Sequence, residues 1–402
     1  MSRQAKKALV PERRFPEFKD AEKWTKKSLD NLLKIGSGKD YKHLSTGDIP
    51  VYGSGGYMLS VNDYLYDGES ACIGRKGTIN NPLFLTGKFW TVDTLFYTHF
   101  FKDCLPKFIY SIFQNINWLD HNEAGGIPSL SKTTIGKIEV FVPKLEEQQK
   151  IADCLSSIDE VIIAQTQKLD ALKNHKKGLM QQLFPAEGET VPKLRFPEFR
   201  YADKWSEQQF GEICKFVRGP FGGALKKDIF VKNGYAVYEQ SHAIHQHFDS
   251  FRYYITEEKY NELKRFLVLP NDIIMSCSGT MGKFATIPQD YKKGIINQAL
   301  LKLTVHKGQD HRFIKLTLEL SNNQEKLLSQ SAGGAIKNVV SVGQIKEMIL
   351  YIPNLREQQK IADCLSSIDE LITVQTQKLD SLKNHKKGLM QQLFPSINEE
   401  KK

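Results

Sequence analysis

The chain has 402 residues, a formal net charge of +10 and 40% hydrophobic residues. This length allows two or three domains, and the apolar content is sufficient for their cores. No run of eighteen apolar residues is present, which excludes a membrane-spanning helix, and no apolar signal segment follows the basic residues at the start. The six cysteines show no CxxC motif, so we expect reduced thiols in a cytoplasmic protein.

The first stretch, residues 1–143, predicts a globular domain that is rich in β-strands. It carries the sequence RFPEF at residues 14–18, and Trp24 follows six residues later. Between residues 47 and 100, short aromatic and β-branched runs are broken by Gly, Asn and Asp, a pattern that is typical of strands joined by turns. Residues 105–117 predict a helix.

Residues 144–185 predict one long helix. Apolar residues recur from Ile151 to Leu183 at alternating steps of four and three, with two gaps that Gln165 and Lys176 fill. This spacing is a heptad seam, which favours helices wound around each other. Pro185 closes the helix, because proline has no N–H to continue it. Forty residues would make a rod of about 60 Å.

Residues 186–353 predict a second β-rich domain, which begins with a polar, Pro-containing linker at residues 186–194. RFPEF recurs at residues 195–199, followed by Trp205 at the same distance as before. Residues 310–330 predict a helix. The rest of this domain shares little sequence with the first, which is expected if the two domains bind different ligands.

We predict a second long helix at residues 354–395 and a loose tail at residues 396–402. The stretch 355–395 repeats 145–185 with 36 of 41 residues identical. A long amphipathic helix cannot bury its stripe alone, so we predict that the two copies pair. The predicted fold is α+β: two β-rich mixed globular domains are joined by two long helices that form an antiparallel coiled coil, with a pseudo-two-fold axis within one chain. Gln165 and Gln375 would then approach each other, and they either set the register of the spacer or face solvent.

This layout resembles the specificity subunit of type I restriction-modification enzymes. Both helices begin with the pattern P-x-L-x-E-Q-x-x-I-A, from Pro143 and from Pro353, and both end with LMQQLFP. The globular domains add IGRKG at residues 73–77 and SGTMG at residues 278–282. The resemblance covers roughly residues 14–395.

The resemblance implies that each globular domain is a target-recognition domain, which reads one half of a split double-stranded DNA sequence. It implies that the helical pair sets the unread gap and docks two methyltransferase (modification) subunits, and that restriction subunits join through this complex. The chain is then a non-catalytic specificity subunit. S-adenosylmethionine, ATP and Mg²⁺ would belong to the partner subunits, with no cofactor bound by this chain.

We expect exposed loops of both domains to contact DNA, with basic side chains on phosphates and polar side chains in the major groove. The excess of positive charge supports a polyanionic ligand, although a lysine or arginine can also belong to a solvated face. The predicted DNA-binding residues are Lys39, Tyr41, Lys42, Ser54, Tyr57, Arg75, Lys76 and Thr78 in the first domain, and Arg218, Lys226, Lys227, Gln240, Ser241, His242, Ser278, Thr280 and Lys337 in the second.

Catalytic motifs are not evident in the sequence. It contains no GxxxxGK[ST] loop, and Asn81-Pro82-Leu83-Phe84 lacks the second proline of the amino-methyltransferase motif. His242, His245 and His247 crowd one stretch without a defined ligand set, so we predict no metal site. The missing motifs disfavour a stand-alone nuclease or methyltransferase. The unlike domains and the basic charge disfavour the other alternative, a coiled-coil adaptor between proteins without DNA readout.

Overall fold

The computed structural model describes residues 10–221, 223–329 and 342–395. The chain divides into two compact units, one of residues 1–168 and 375–402 and the other of residues 169–374. Each unit contains a globular part, which we call the first head (within residues 10–143) and the second head (within residues 186–353), together with parts of both long helices. Within the described ranges, no helix is long and apolar enough to cross a membrane.

The first head contains strands and short helices ahead of the first long helix. In chain order these are β1 (Thr25–Ser28), α1 (Leu29–Leu32), β2 (Lys34–Ser37), β3 (Thr46–Gly53), β4 (Gly56–Val61), β5 (Tyr66–Asp67), β6 (Ser70–Gly74), β7 (Leu83–Leu85), β8 (Lys88–Thr91), β9 (Leu95–His99), α2 (Pro106–Asn115), α3 (Lys132–Lys137) and β10 (Glu139–Val142). The long helix α4 (Leu145–Leu183) follows. The helix predicted at residues 105–117 is therefore present as α2.

The strands of the first head form three sheets. One has the order β2-β9-β6-β7 and is antiparallel throughout, and a second has the order β4-β3-β8-β5, in which β3 and β8 run parallel. The third is the antiparallel pair of β1 and β10. The main core joins α2 to the first of these sheets, where Trp24, Phe108, Phe113 and Trp118 are fully buried.

The second head contains a similar series of elements. They are β11 (Ser206–Gln209), α5 (Phe210–Ile213), β12 (Cys214–Arg218), β13 (Tyr235–Tyr238), α6 (Gln240–His245), β14 (Tyr254–Ile255), α7 (Glu257–Glu262), β15 (Ile273–Ser276), β16 (Phe284–Thr286), β17 (Gly294–Ile296), β18 (Leu300–Val305), α8 (His311–Glu319), α9 (Ser321–Ser329), α10 (Val342–Glu347) and β19 (Ile349–Ile352). The second long helix, α11 (Leu355–Leu393), ends the described chain.

The two heads share one topology despite their unlike sequences. The sheet β12-β18-β15-β16 has the strand order and antiparallel pairing of β2-β9-β6-β7. The sheet β14-β13-β17 contains a parallel pair, β13 with β17, as β3 pairs with β8. The pair β11 and β19 repeats β1 and β10. A position in one head can therefore be assigned its counterpart in the other.

The single helix predicted at residues 310–330 is wrong, because two helices, α8 and α9, occupy this range. Leu320 between them has an extended backbone, with φ −61° and ψ 139°. Two side chains of α9 compensate for the break: Asn323 Nδ2 donates to Thr317 O at 2.7 Å and Gln324 Nε2 donates to Leu318 O at 2.7 Å. These bonds satisfy carbonyl groups that the end of α8 leaves open.

In each unit, segments of α4 and α11 pack side by side in opposite directions, which confirms the antiparallel pair. In the first unit, Lys386 Nζ lies 2.6 and 2.7 Å from the carboxylate oxygens of Asp159. In the second unit, Lys176 Nζ makes the same contacts with Asp369 at 2.6 and 2.7 Å. The lysines that interrupt the heptad seam thus form ion pairs with the facing helix.

Gln165 and Gln375 meet within the first unit. Gln375 Nε2 donates to Gln165 Oε1 at 2.6 Å and to Gln165 O at 3.2 Å. The side chain of Gln375 is buried, with 6% of its surface exposed. A buried, hydrogen-bonded amide in an apolar seam favours one register over shifted ones, since a shift would leave it unsatisfied.

The duplicated RFPEF and LxEQ motifs anchor each head to the helix that follows it. Arg14 donates through Nε and Nη2 to the two carboxylate oxygens of Glu147, at 2.7 and 2.6 Å. Trp24 Nε1 lies 3.3 Å from the same carboxylate. The second head repeats the arrangement with Arg195, Glu357 and Trp205. The sequence repeats at these positions therefore have a structural role.

The end of each long helix packs into the head of its own unit. Phe394, at the end of α11, lies 5.7 Å from Phe108 of the first head between ring centroids. Phe184, at the end of α4, lies 5.3 Å from Phe313 of the second head. Each head thus holds the start of one helix copy and the end of the other, so both copies must fit both heads. This requirement explains why the helices are nearly identical while the heads are not.

Candidate nucleic-acid interface

In the first head, a tight turn between β8 and β9 forms the centre of a surface cleft. Leu95 N donates to Val92 O at 2.9 Å, which closes a four-residue turn around Asp93 and Thr94. Val92 N donates to Tyr52 O on β3 at 2.9 Å. Gly38 packs so closely against this turn that a Cβ atom there would overlap Val92 O. The backbone of the turn is therefore held from two sides.

Three predicted DNA-binding residues meet at this turn. Arg75 N donates to Thr94 O at 2.8 Å, and Arg75 Nη1 lies 3.4 Å from Asp93 O. Ser54 Oγ donates to Lys76 O at 2.9 Å, and Ser54 N donates to Thr94 Oγ1 at 3.4 Å. These contacts join the loop after β3 to the loop after β6. The side chains of Arg75 and Lys76 remain exposed at the surface.

The other predictions in the first head lie close by or at the edge. Tyr41, Lys42 and Tyr57 line the same cleft as Ser54 and Asp93. Lys39 is fixed by its backbone, since Lys39 N donates to Thr91 O at 2.8 Å and Lys39 O accepts from Trp90 Nε1 at 2.8 Å. Its side chain is exposed, and so is Thr78, for which the described residues show no contact with the turn.

The second head builds the equivalent turn from different residues. Leu300 N donates to Asn297 O at 3.1 Å, and Asn297 N donates to Tyr238 O on β13 at 2.9 Å. A Cβ atom on Gly219 would overlap Asn297 O, as one on Gly38 would overlap Val92 O. Arg218 Nε lies 3.4 Å from Gln298 O. An arginine therefore contacts the same carbonyl position in both heads, although Arg218 ends β12 whereas Arg75 follows β6.

Polar side chains surround the second turn as well. Gln240 Nε2 donates to Thr280 O at 3.2 Å, and Ser278 Oγ lies 3.4 Å from Gln240 Oε1. Gln240 and Ser241 line a cleft together with Asn297. Gln240 follows Tyr238 by two residues, as Ser54 follows Tyr52, so it is the counterpart of Ser54. The structure thus brings five of the predicted residues of this head, Arg218 included, to one place.

Burial raises the pKa of the neighbouring Cys277 thiol to about 11, and the charge of Arg218 opposes this rise only in part. The thiol therefore stays protonated near neutral pH and is a poor nucleophile.

No group of three or more His, Cys, Asp or Glu residues in the described part of the chain is arranged to hold a metal ion.

His242, which was predicted to contact DNA, lies beside the cleft of Gln240 and Asn297, but its imidazole is a core group. It is 4% exposed and stacks on Phe251 at 4.8 Å between ring centroids. Glu239 N donates to Nδ1 at 2.9 Å, and Nε2 lies 3.2 Å from Ser250 O. Both ring nitrogens are engaged with the backbone, so neither is presented to a ligand.

Two other predicted residues of the second head, Lys226 and Lys227, lie away from the turn. Lys226 and Lys227 are exposed at the short 3₁₀ helix Lys227–Ile229, and no contact among the described residues joins them to the cleft. Lys337 lies outside the described residues. Sequence reasoning missed Asp93, Thr94, Asn297 and Gln298 entirely. The two turns, Val92-Asp93-Thr94-Leu95 and Asn297-Gln298-Ala299-Leu300, share only the final leucine, so the sequence carries no common motif that marks them.

The duplicated architecture of the chain is matched by a duplicated family match. A family model described as "Type I restriction modification DNA specificity domain" matches the chain twice, at residues 21–174 and 202–384. The chain belongs to this family. The two matches include the turns at residues 92–95 and 297–300, and they confirm the resemblance to type I specificity subunits.

Relatives of this DNA specificity family span most of the chain. The type I restriction enzyme MjaVIII specificity subunit of Methanocaldococcus jannaschii is 23% identical over 352 residues, which cover 84% of this chain and 79% of that protein. The putative MjaX specificity subunit of the same organism is 24% identical over 271 residues, or 66% of this chain and 60% of that protein. The crystal structure of a type I S subunit from M. genitalium matches with a TM-score of 0.64 and 16% identity, covering 97% of this chain and 100% of that one. This structural match supports the fold.

Proposed function

We propose that this chain is the specificity subunit of a type I restriction-modification complex, in which each head reads one half of a split double-stranded DNA target. The observation that carries the proposal is the pair of equivalent clefts. Both heads hold the same turn by the same backbone contacts and present different side chains around it. A shared frame with unlike polar side chains is suited to binding the same polymer at two different sequences.

We assign two kinds of DNA contact to the predicted residues. The exposed cations Lys39, Lys42, Lys76, Lys226 and Lys227 would neutralise phosphates, which contributes affinity and sets register without carrying sequence information. Side chains at the two turns would face the base edges, where each base pair shows a distinct pattern of donors and acceptors in the major groove. These residues comprise Tyr41, Ser54, Tyr57 and Arg75 in the first head, and Arg218, Gln240, Ser241, Ser278 and Thr280 in the second. Thr78 is exposed away from the first turn and would contact DNA separately.

The long helices are proposed to set the gap between half-sites and to dock two methyltransferase subunits. Each unit exposes apolar side chains on the helices: Val161 and Ile163 are 44% and 56% exposed in the first, and Leu371 and Val374 are 55% and 62% exposed in the second. Exposed apolar groups clustered along one element favour a protein partner. The hydrogen-bonded pair of Gln165 and Gln375 would fix the helix register and with it the gap.

The chain itself is proposed to be non-catalytic. Methylation and cleavage would reside in methyltransferase and restriction subunits, and S-adenosylmethionine, ATP and Mg²⁺ would bind there. Because the proposed ligand is cellular or incoming DNA, the site of action would be the cytoplasm.

A methylation map tests this proposal. The chain is co-expressed with the methyltransferase subunit encoded beside it, in a host without DNA methylation, and modified adenines are mapped across the genome. We expect a split motif with a constant gap, which is absent when the methyltransferase subunit is expressed alone. An unsplit motif would contradict the assignment of one half-site to each head. A stable complex without methylation would support the adaptor alternative, which the exposed apolar helix residues also fit.

A further inference from the structure

The two equivalent turns each present one side chain that the sequence did not single out. Asp93 in the first head and Gln298 in the second are the residues that follow Val92 and Asn297, and both are exposed. Their carbonyl oxygens lie 3.4 Å from the guanidinium groups of Arg75 and Arg218. Across the described ranges, neither side chain has a hydrogen-bond partner, whereas the backbone on either side is bonded.

The backbone beneath these side chains is restrained at four points. In the first head it is bonded to the end of β3, closed on itself, bonded to the residue after β6 and packed on Gly38. The second head repeats all four restraints, with Cys277 N donating to Ala299 O at 2.8 Å and Gly219 as the packed residue. A side chain on a rigid backbone can bind a ligand without further ordering of that backbone. The small loss of conformational entropy favours precise recognition.

The chemistry of Asp93 limits what it can bind on DNA. A carboxylate only accepts hydrogen bonds, and it is repelled by phosphates, so it cannot serve as a backbone contact. In the major groove, its favourable partners are the exocyclic amino groups of cytosine and adenine. The neighbouring cations Arg75 and Lys42, which lie at the turn and in the same cleft, would offset its repulsion from the DNA backbone.

The chemistry of Gln298 is different and complementary. An amide can donate and accept at once, and glutamine pairs in two places with the N6 and N7 atoms of adenine. Arg218 lies beside it, as Arg75 lies beside Asp93. The same structural position thus carries an acceptor in one head and a donor–acceptor pair in the other, which would give two different base preferences.

We infer that Asp93 and Gln298 are equivalent specificity-determining residues, one for each half-site. Asp93 reads an amino-bearing base, cytosine or adenine, in the half-site of the first head, and Gln298 reads an adenine in the half-site of the second. This inference rests on the proposed function, because it assumes that both clefts face DNA. It adds the positions and the base chemistry that the proposal leaves open.

The experiment repeats the methylation map with Asp93→Asn, Asp93→Gln and Gln298→Glu, each co-expressed with the methyltransferase subunit. The matched controls are Asp48→Asn and Gln289→Glu, which change exposed residues of the same heads away from the turns. Asp48 lies four residues before Tyr52 on β3, a distance of about 13 Å along the strand. Complex formation with the methyltransferase subunit and the thermal unfolding temperature are measured for every variant.

We expect Asp93→Asn to lower discrimination at one base pair of one half-site by about 5- to 150-fold, with the other half-site unchanged. Gln298→Glu should act in the same way on the opposite half-site. If the wild-type base is cytosine, Asp93→Gln should raise the frequency of adenine at the affected position, a gain that a folding defect could not produce; if it is adenine, Asp93→Gln should retain it while Asp93→Asn and Gln298→Glu provide the test. The controls should methylate the wild-type motif.

Three results would overturn the inference in different ways. If wild type methylates a split motif and the Asp93 and Gln298 variants keep that motif, these residues do not read bases, while the proposed function stands. If a variant loses methylation uniformly at all positions, its residue acts in binding or folding and not in base readout. If wild type yields no split motif, the proposed function fails and this inference fails with it.

Discussion

The anchor between the first head and its helix offers a sharp test of the structure. Glu147 is 2% exposed and accepts two hydrogen bonds from Arg14, whose side chain is 6% exposed. The pKa of Arg14 is raised by these hydrogen bonds. In Glu147→Gln the arginine stays buried with its charge uncompensated, and breaking a buried ion pair in this way costs about 3–5 kcal/mol. We expect the first head to lose this amount of free energy of unfolding.

Hydrogen exchange read by mass spectrometry measures the loss for each head separately. Peptides from α2 and β6 of the first head should exchange about 100-fold faster or more in Glu147→Gln, because about 3 kcal/mol corresponds to that factor. Peptides from β15 and α8 of the second head should not change. Glu357→Gln should show the reverse pattern, since Glu357 holds Arg195 in the second head.

The matched control is Glu146→Gln, which removes an exposed carboxylate beside the anchor and should change stability by no more than about 0.5 kcal/mol. The interpretation is contradicted if Glu147→Gln costs less than about 1 kcal/mol, or if it accelerates exchange in both heads to the same extent. Either result would mean that the buried ion pair does not hold the head to its helix.

Two further predictions concern the helical pair. Inserting one heptad after Gln165 and one after Gln375 lengthens each helix by about 10 Å, close to three base pairs of DNA. The mapped gap should therefore grow by about three base pairs while both half-sites stay the same. An unchanged gap would rule out a spacer role. Replacing both glutamines by leucine should raise the free energy of unfolding in urea by about 1–2 kcal/mol. It should also broaden the mapped gap to several lengths, because the seam loses a buried, register-specific hydrogen bond. A single gap length in that variant would show that the register is set elsewhere.

The helices show how far a sequence pattern can reach. Their length and their pairing follow from heptad spacing and from the identity of the two copies, because helical periodicity is a local property. The antiparallel direction was predicted from the whole domain that connects the copies, and the meeting of Gln165 with Gln375 followed from that direction. The ion pairs of Lys176 with Asp369 and of Lys386 with Asp159 were not predicted. They depend on which residues face each other across the seam, and the sequence of one helix alone does not state this.

The convergence of the cleft residues could not be predicted from the sequence. Arg75, Lys76 and Ser54 were predicted as separate polar residues in turns, and their convergence on the turn at residues 92–95 requires the pairing of β3 with β8 and of β6 with β9. His242 was predicted to be a DNA contact in a loop, but its ring completes an aromatic core with Phe251. Burial depends on the neighbours that long-range folding supplies, so composition could not decide it.

By itself, the sequence determined the class of fold, the duplication and the family, because repeats, heptads and the motifs at the helix ends are written in consecutive residues. Tertiary structure alone decided that two heads with little common sequence share one strand order, that Arg75 and Arg218 reach the same carbonyl from different loops, and that Asp93 and Gln298 are counterparts. These relations join residues that are far apart in the chain. Strand pairing brings them together, and many different side chains can satisfy the same pairing.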